Sequence, residues 1–299
     1  MNELIEYLKL LGIDYITDEP MSKHTSFKIG GNAKLVAEPK SVDEIAEIVK
    51  KCRDIGIRCI AIGNGSNLLV SDEGIDACVI LLGSSFSKIK LIDENTIYAE
   101  AGASLMKVCR FALEKGLSGL EFAYGIPGSC GGAAFMNAGA YGGEMKNVLY
   151  KCEHIDCNGN AGALEKDALE LSYRHSAYYN NGCIITGLYF KLVNGQKDEI
   201  KAKMDDLIGR RRNKQPLEYP SAGSTFKRPE GYFAGALIQE CGLKGAAVGG
   251  AQVSEKHAGF VINTGGATCS DVLELCRMVS DKVYAEKGVK LEMEIRVTK

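Results

Sequence analysis

The run from Gly125 to Gly143, GIPGSCGGAAFMNAGAYGG, limits what this chain can be more than any other stretch. Seven of its nineteen residues are glycine and four are alanine. Such small side chains add little to a hydrophobic core. They let the backbone come close to a ligand and adopt φ values that other residues avoid. A flexible linker would be polar, but this run carries Ile126, Pro127, Cys130, Phe135, Met136 and Tyr141. It reads as an ordered loop on which a phosphate-rich ligand lies.

A second glycine site precedes it. Ser41, with Glu44 three residues on, has the form of a capping box at the start of a helix. Val42, Ile45, Ala46, Ile48, Val49, Cys52 and Ile55 follow helical spacing, and Gly56 suits the stop. A buried strand, Ile57 to Ile62, runs straight into Gly63-Asn64-Gly65-Ser66-Asn67. A loop of this kind at a strand end aims successive N–H groups at one place, which suits a pyrophosphate. The competing reading is a tight hairpin, because Asn-Gly is a strong hairpin signal. No G-x-G-x-x-G opens a helix here and no G-x-x-x-x-G-K-[ST] occurs, which excludes the usual dinucleotide and P-loop motifs.

At 299 residues the chain exceeds one core, so two or three domains are expected. A net charge of −2 gives no reason to expect nucleic acid or an anionic membrane as partner. The eleven cysteines are odd in number and form no C-x-x-C pair, which fits core thiols in a reducing cytoplasm better than disulfides or zinc. The amphipathic start, MNELIEYLKLLGID, lacks the features of a signal peptide, and no apolar run approaches a membrane span. A cytoplasmic protein is expected.

The remaining pattern is α+β. Gly30-Gly31 reads as a turn between two short strands, and Ser104 to Lys115 as a helix leading to the long glycine stretch. Strands follow at LYKCEHIDC, after Asn158-Gly159-Asn160, and at IITGLYFKL. The two glycine-rich turns are expected to face one cleft. Beyond Gly195 come a helix ending in a basic cluster, Arg210 to Lys214, and the loop SAGSTFKRP. A smaller α+β unit then ends in a strand, Val289 to Val297, with Val289, Leu291, Met293, Ile295 and Val297 on one face.

Six stretches in this order, HTSFKIGG, IGNGSNLLV, the glycine run, SYRHS, SAGSTFKRP and LEMEIRV, resemble the UDP-N-acetylenolpyruvoylglucosamine reductases, the MurB family. The resemblance spans almost the whole chain. It implies a two-part FAD-binding domain of the vanillyl-alcohol oxidase (PCMH) type and a C-terminal α+β substrate-binding domain. The expected boundaries are 1–82 and 83–196 for the FAD-binding parts, with a return strand at 289–299, and 197–288 for substrate. The implied reaction reduces an enolpyruvyl UDP-sugar to UDP-N-acetylmuramate for peptidoglycan, with FAD as cofactor and NADPH as reductant.

The resemblance also implies roles for individual residues. Arg174 would stabilise the charge that builds on the carboxylate-bearing carbon, Ser224 would donate a proton there, and Glu294 would polarise the substrate or relay protons. Gly63, Asn64, Gly65, Ser66 and Asn67, with Pro127, Gly128, Ser129, Gly132 and Ala138, match the FAD contacts. Lys214 and Arg228 match positions near the substrate diphosphate. No histidine lies in either glycine loop, so FAD is expected to be non-covalent. His24, His154, His175 and His257 read as hydrogen-bonded structural residues, and no pair has metal spacing.

One departure from the family pattern concerns a tyrosine-bearing loop that closes over the substrate in the longer form. There is no room for it between the arginine and serine motifs, which leaves Tyr178 and Tyr179 as candidate substitutes. Two other readings stay open: a flavin-dependent sugar or lactone oxidase of the same fold, and a catalytically inactive nucleotide-binding module.

Overall fold

The computed structural model describes residues 1–299. The chain builds two compact units and passes between them repeatedly. Met1–Thr17, Leu35–Asn64 and Ala77–Arg210 form the first; Asp18–Lys34, Gly65–Asp76 and Arg211–Lys299 form the second.

The opening segment gives α1 (Asn2–Leu11), β1 (Asp14–Pro20) and β2 (Asn32–Glu38). The link between the two strands is longer than the expected Gly30-Gly31 turn. A 3-10 turn at Met21–Lys23 comes first, and the Met21 amide donates to the Gly31 carbonyl at 3.1 Å. α2 (Val42–Asp54) starts where Ser41 predicts, the serine hydroxyl accepting from the Glu44 amide at 3.2 Å. The return arm of the box is displaced by one residue, since the Glu44 carboxylate takes the Lys40 amide at 2.7 Å. Ile45, Ile48, Val49 and Cys52 then face the core at helical spacing.

β3 (Cys59–Ile62), β4 (Leu68–Val70) and β5 (Ile75–Leu81) follow. β3 and β4 flank the GNGSN loop but do not form a hairpin. β3 pairs in parallel with β5, and β4 pairs in parallel with the final strand, Arg296–Thr298. The Asn-Gly sequence thus serves an open loop between two separate ladders.

The first unit continues with β6 (Ile89–Asp93) and β7 (Thr96–Glu100). They join the strands Leu149–Ile155, Ala161–Glu165 and Ile184–Lys191 in a five-stranded antiparallel sheet. Ile184–Lys191 is central, and its start, Ile184 to Leu188, is buried on both faces. α3 (Leu105–Lys115) buries Val108, Cys109 and Ala112, and the short α4 (Cys130–Phe135) packs on the central strand. Ile200 and Met204 of α5 (Lys197–Lys214) complete this core.

The second unit contains α6 (Ala234–Glu240), the strands Ala251–Val253 and Val261–Asn263, and α7 (Cys269–Lys287). Its core gathers Phe27, Leu69, Phe226, Ile238, Val272 and Ile295 from distant parts of the chain. The alternation expected from Val289 to Val297 appears in burial, because Leu291 and Ile295 are buried, but it stops at Val297, which is exposed. Only Arg296–Thr298 lies in a ladder. The preceding residues are held singly: the Lys227 amide donates to Glu292 O and the Glu294 amide to Thr225 O, both at 2.8 Å. This return strand pairs in parallel with β4, Leu68–Val70, within the expected 1–82 segment. No helix is long and apolar enough to cross a membrane.

α7 shows how the second unit fixes its longest helix. Thr268 and Asp271 form a reciprocal capping box that satisfies the Asp271 and Thr268 amides. The Asp72 carboxylate takes the next two donors, accepting from the Cys269 amide at 2.6 Å and the Ser270 amide at 2.9 Å, and also from the Ser270 hydroxyl at 2.8 Å. Burial pushes the Asp72 carboxyl upward, but the bonds from Ser270 and Cys269 together outweigh it and hold the group below its ordinary value. Its contribution is therefore present above the unfolded carboxyl pKa and lost as pH falls through the folded one. Replacing Asp72 by Ala should destabilise the protein by about 1–2 kcal/mol at neutral pH, measured by urea denaturation. The gap should close under acid conditions, where the wild-type carboxyl is protonated.

Candidate active site

Within the first unit Gly63, which opens the GNGSN loop, lies against Ser129 of the long glycine stretch. A Cβ on Gly63 would lie 2.0 Å from Ser129 Oγ, so the GNGSN loop can leave β3 along this path only with glycine there. Gly131 likewise lies against Ala101, whose Cβ would be 2.8 Å from any added methyl. The first-turn amides of α4 are already committed. Cys130 N donates to Ala103 O and Gly131 N to Ala101 O, both at 2.8 Å, and Gly132 N donates to Ser129 Oγ at 3.4 Å. The long glycine stretch therefore offers a ligand bare backbone at close range and not a helix N-terminus. Of the GNGSN loop, Gly63 and Asn64 belong to this unit and lie beyond the end of β3, with amides outside any ladder. Close backbone next to peptide N–H groups outside any ladder is what a flat ring system carrying a pyrophosphate requires, so Gly63, Asn64 and the glycine stretch fit FAD.

Arg174 also belongs to the first unit. It sits in a tight turn closed by mutual backbone bonds between Ser172 and His175, at 3.2 and 3.1 Å. Its φ of 55° is in the left-handed region, and its guanidinium carbon lies 5.1 Å from the centre of the Tyr173 ring. Tyr178 is not available to close over a substrate. Its ring is 2% exposed and its hydroxyl is bonded to Cys152 O and His154 Nδ1, at 3.3 and 3.0 Å, which makes it a core residue. Tyr179 is exposed and lies against Phe135 and His175.

Ser224 and Glu294 belong to the second unit, on adjacent backbone segments. Thr225, buried directly after Ser224, is bonded three times: its N–H to Gly259 O, its carbonyl from Glu294 N–H and its hydroxyl from Val261 N–H, each at 2.8 Å. Asn67 completes the frame, its Nδ2 donating to Glu294 O at 3.3 Å and its carbonyl accepting from Arg296 N at 2.9 Å. Strand alternation put Glu292, Glu294 and Arg296 on one polar face, but Glu292 is exposed whereas Glu294 is half-buried. Thr225 was missed in the sequence because a threonine in SAGSTF reads as part of an ordinary turn. The one available signal was its place beside a serine singled out for another reason.

The two expected diphosphate ligands also lie in this unit. Arg228 is exposed, with its guanidinium carbon 4.0 Å from the Phe233 ring centre and Nε donating to Tyr232 O at 3.3 Å. Lys214 is exposed at the end of α5.

The histidines mostly have structural partners. His24 Nε2 lies 2.9 Å from a Glu19 carboxylate oxygen, and His257 Nδ1 accepts from Gly259 N–H at 3.1 Å. Burial lowers the His257 pKa, and the charges of Lys244 and Lys214 act in the same direction, against an opposing backbone hydrogen bond. Burial lowers that of His154 too, against a smaller pull from Asp156. A histidine with a depressed folded pKa binds more protons when unfolded, so it contributes stability above roughly pH 6.5 that is lost as pH falls. The urea midpoint should therefore drop between about pH 7.5 and about pH 5.5. Replacing His257 by Asn should flatten that slope.

Comparison with known proteins places these features. Residues 33–162 match the FAD binding domain family, and residues 215–298 match the UDP-N-acetylenolpyruvoylglucosamine reductase, C-terminal domain family. The fold is thus that of an FAD-dependent reductase, α+β throughout, with a separate C-terminal domain. The chain is 48% identical over 304 residues to the UDP-N-acetylenolpyruvoylglucosamine reductase of Clostridium perfringens (strain SM101 / Type A), covering 99% of each chain. It is 48% identical over 280 residues to the enzyme of that name from Syntrophomonas wolfei, covering 94% of this chain and 93% of the other. The crystal structure of UDP-N-acetylenolpyruvylglucosamine reductase (MurB) from Thermus caldophilus superposes with a TM-score of 0.81 at 35% identity, over 96% of this chain and 99% of that one. The chain belongs to the UDP-N-acetylenolpyruvoylglucosamine reductase family.

Proposed function

We propose that this protein catalyses the NADPH-dependent reduction of UDP-N-acetylglucosamine enolpyruvate to UDP-N-acetylmuramate, a step in peptidoglycan precursor synthesis. The observation that carries this reading is the match to a reductase of that name at 48% identity along 99% of this chain and 99% of the relative. FAD, when bound, supplies the two-electron chemistry that passes hydride from NADPH to the enolpyruvyl double bond. One hydride and one proton add across that bond, giving the lactyl ether and NADP⁺.

The chain's own residues manage the charge and the proton. Hydride addition leaves negative charge on the carboxylate-bearing carbon, delocalised into the carboxylate. Arg174 provides a permanent cation to hold that charge, from the turn closed between Ser172 and His175. Ser224 gives the proton. A serine hydroxyl is a weak acid, able to protonate only a strongly basic centre, and the carbanion-like carbon is one. Glu294, held on the neighbouring segment by the Thr225 carbonyl, polarises the same centre or returns the proton to the serine.

Gly63 to Asn67, with Pro127, Gly128, Ser129, Gly132 and Ala138, hold FAD without a covalent bond, while Lys214 and Arg228 clamp the substrate diphosphate. In this reading 1–82 and 83–196 carry the cofactor and 197–288 the UDP-sugar. Eight of the eleven free cysteines are buried, and burial raises the Cys276 thiol to about 12 and that of Cys269 to about 11, which suits unreactive core residues in a reducing cytoplasm.

An anaerobic absorbance trace tests the reading. Flavin bands should bleach on adding NADPH and return on adding the enolpyruvyl UDP-sugar. Bands that return only with oxygen would indicate an oxidase, and a protein that stays colourless with added FAD would indicate a different ligand. In the same experiment Ser224→Ala should bleach at the wild-type rate yet recover at least about a hundredfold more slowly. Equal rates in both steps would remove Ser224 from the proton-donor role.

A further inference from the structure

Asn137 is 1% exposed, has a φ of 42°, and uses its whole side chain. Nδ2 donates to Glu144 Oε2 and to Ser172 O, both at 3.0 Å, and Oδ1 accepts from Lys146 N at 2.9 Å. Only this orientation of the amide satisfies two acceptors and one donor together. A buried non-glycine residue with positive φ persists where its surroundings fix it, and asparagine tolerates that region better than most residues.

The bond to Ser172 O links two segments whose functions have so far been separate. Ser172 is the first residue of the turn that carries Arg174, and Asn137 lies within the glycine stretch. A second attachment stands beside it: Ser176, fully buried on the far side of the same turn, donates from its hydroxyl to Phe135 O at 2.8 Å. The turn is therefore fastened at both ends to residues 135–137. Such fastening offsets strain, because Arg174 is itself left-handed at a cost of roughly 1 kcal/mol, in a turn closed by mutual backbone bonds between Ser172 and His175.

We infer that Asn137 is a positioning residue for the reduction step, fixing the Arg174 turn to the glycine stretch so that the guanidinium meets the developing carboxylate charge. The inference rests on the role given to Arg174. Asn137 acts through Ser172 and touches neither substrate nor cofactor in this account. An arginine on a loosened turn keeps its charge but loses its direction, and a misplacement of about 1 Å costs up to a hundredfold in rate.

The test uses Asn137→Gly, which retains the left-handed backbone and removes all three side-chain bonds, and Ser176→Ala, which releases the other end. Each holoenzyme is followed through its two half-reactions by stopped-flow absorbance. Flavin reduction by NADPH should stay within about twofold of wild type, and reduction of the enolpyruvyl UDP-sugar should slow by at least about tenfold. Amide hydrogen exchange, read with no substrate present, should quicken at Ser172 and His175, the two residues whose N–H groups close the turn. Placed on Arg174→Ala, Asn137→Gly should cause no further loss, as expected of two residues acting through one group.

Equal slowing of both half-reactions, or full additivity with Arg174→Ala, would overturn the inference and leave Asn137 a purely structural residue. So would unchanged exchange at Ser172 and His175. If Arg174→Ala alone left sugar reduction intact, the fault would lie in the role given to Arg174, and the inference would fall with it. Should Asn137→Gly not fold, Ser176→Ala carries the same prediction by itself.

Discussion

A three-residue parallel pairing, Leu68–Val70 with Arg296–Thr298, ties together the parts of the chain that matter most in the second unit. It joins the residues directly after the GNGSN loop to those directly after Glu294. Its register sets Leu68 beside Arg296, and this allows Asn67 to bond on both sides, to the Glu294 carbonyl and the Arg296 amide. The Glu294 amide then reaches Thr225 O, so Ser224 and Glu294 are placed by a single continuous network of backbone bonds. Thr225, at the centre of that network, is buried, where its bonds contribute more than they would on an exposed loop.

Much of this was legible in the sequence. The helices follow their periodicity and caps to within a residue or two, as Ser41 for α2 and Gly116 for α3 illustrate. The strand at IITGLYFKL was legible from its β-branched and aromatic residues, and the hairpin at Asp156–Asn160 as an Asn-Gly turn between strands. Local chemistry settles elements of this kind.

What local chemistry could not supply was partnership. The Asn-Gly of GNGSN has the same composition as a hairpin turn, and only the pairing of β3 with β5 and β4 with the last strand shows that it is not one. The final strand alternates cleanly over nine residues, yet forms a ladder over three, because its earlier part meets a loop and not a strand edge. The capping of α7 by Asp72 spans 197 residues of sequence, and the bond from Asn137 to Ser172 spans 35. Tyr178 reads as a surface tyrosine in an AYYNN stretch, but its hydroxyl is satisfied inside the first unit. In each case long-range geometry decided the role, and a single sequence does not contain it.

The way the chain threads its two units bears on how it is made. The second unit needs Asp18–Lys34 and Gly65–Asp76 as well as everything from Arg211 onward. Leu69, at the base of its core, waits for Ile295, and β4 waits for Arg296–Thr298. During synthesis the early segments of this unit leave the ribosome long before their partners exist, and they carry a bare strand edge and apolar side chains with them. The first unit is nearly complete once Arg210 has emerged, whereas the second can close only when its last strand is released. Translation speed and chaperone access in that interval would then bear on the yield of active protein.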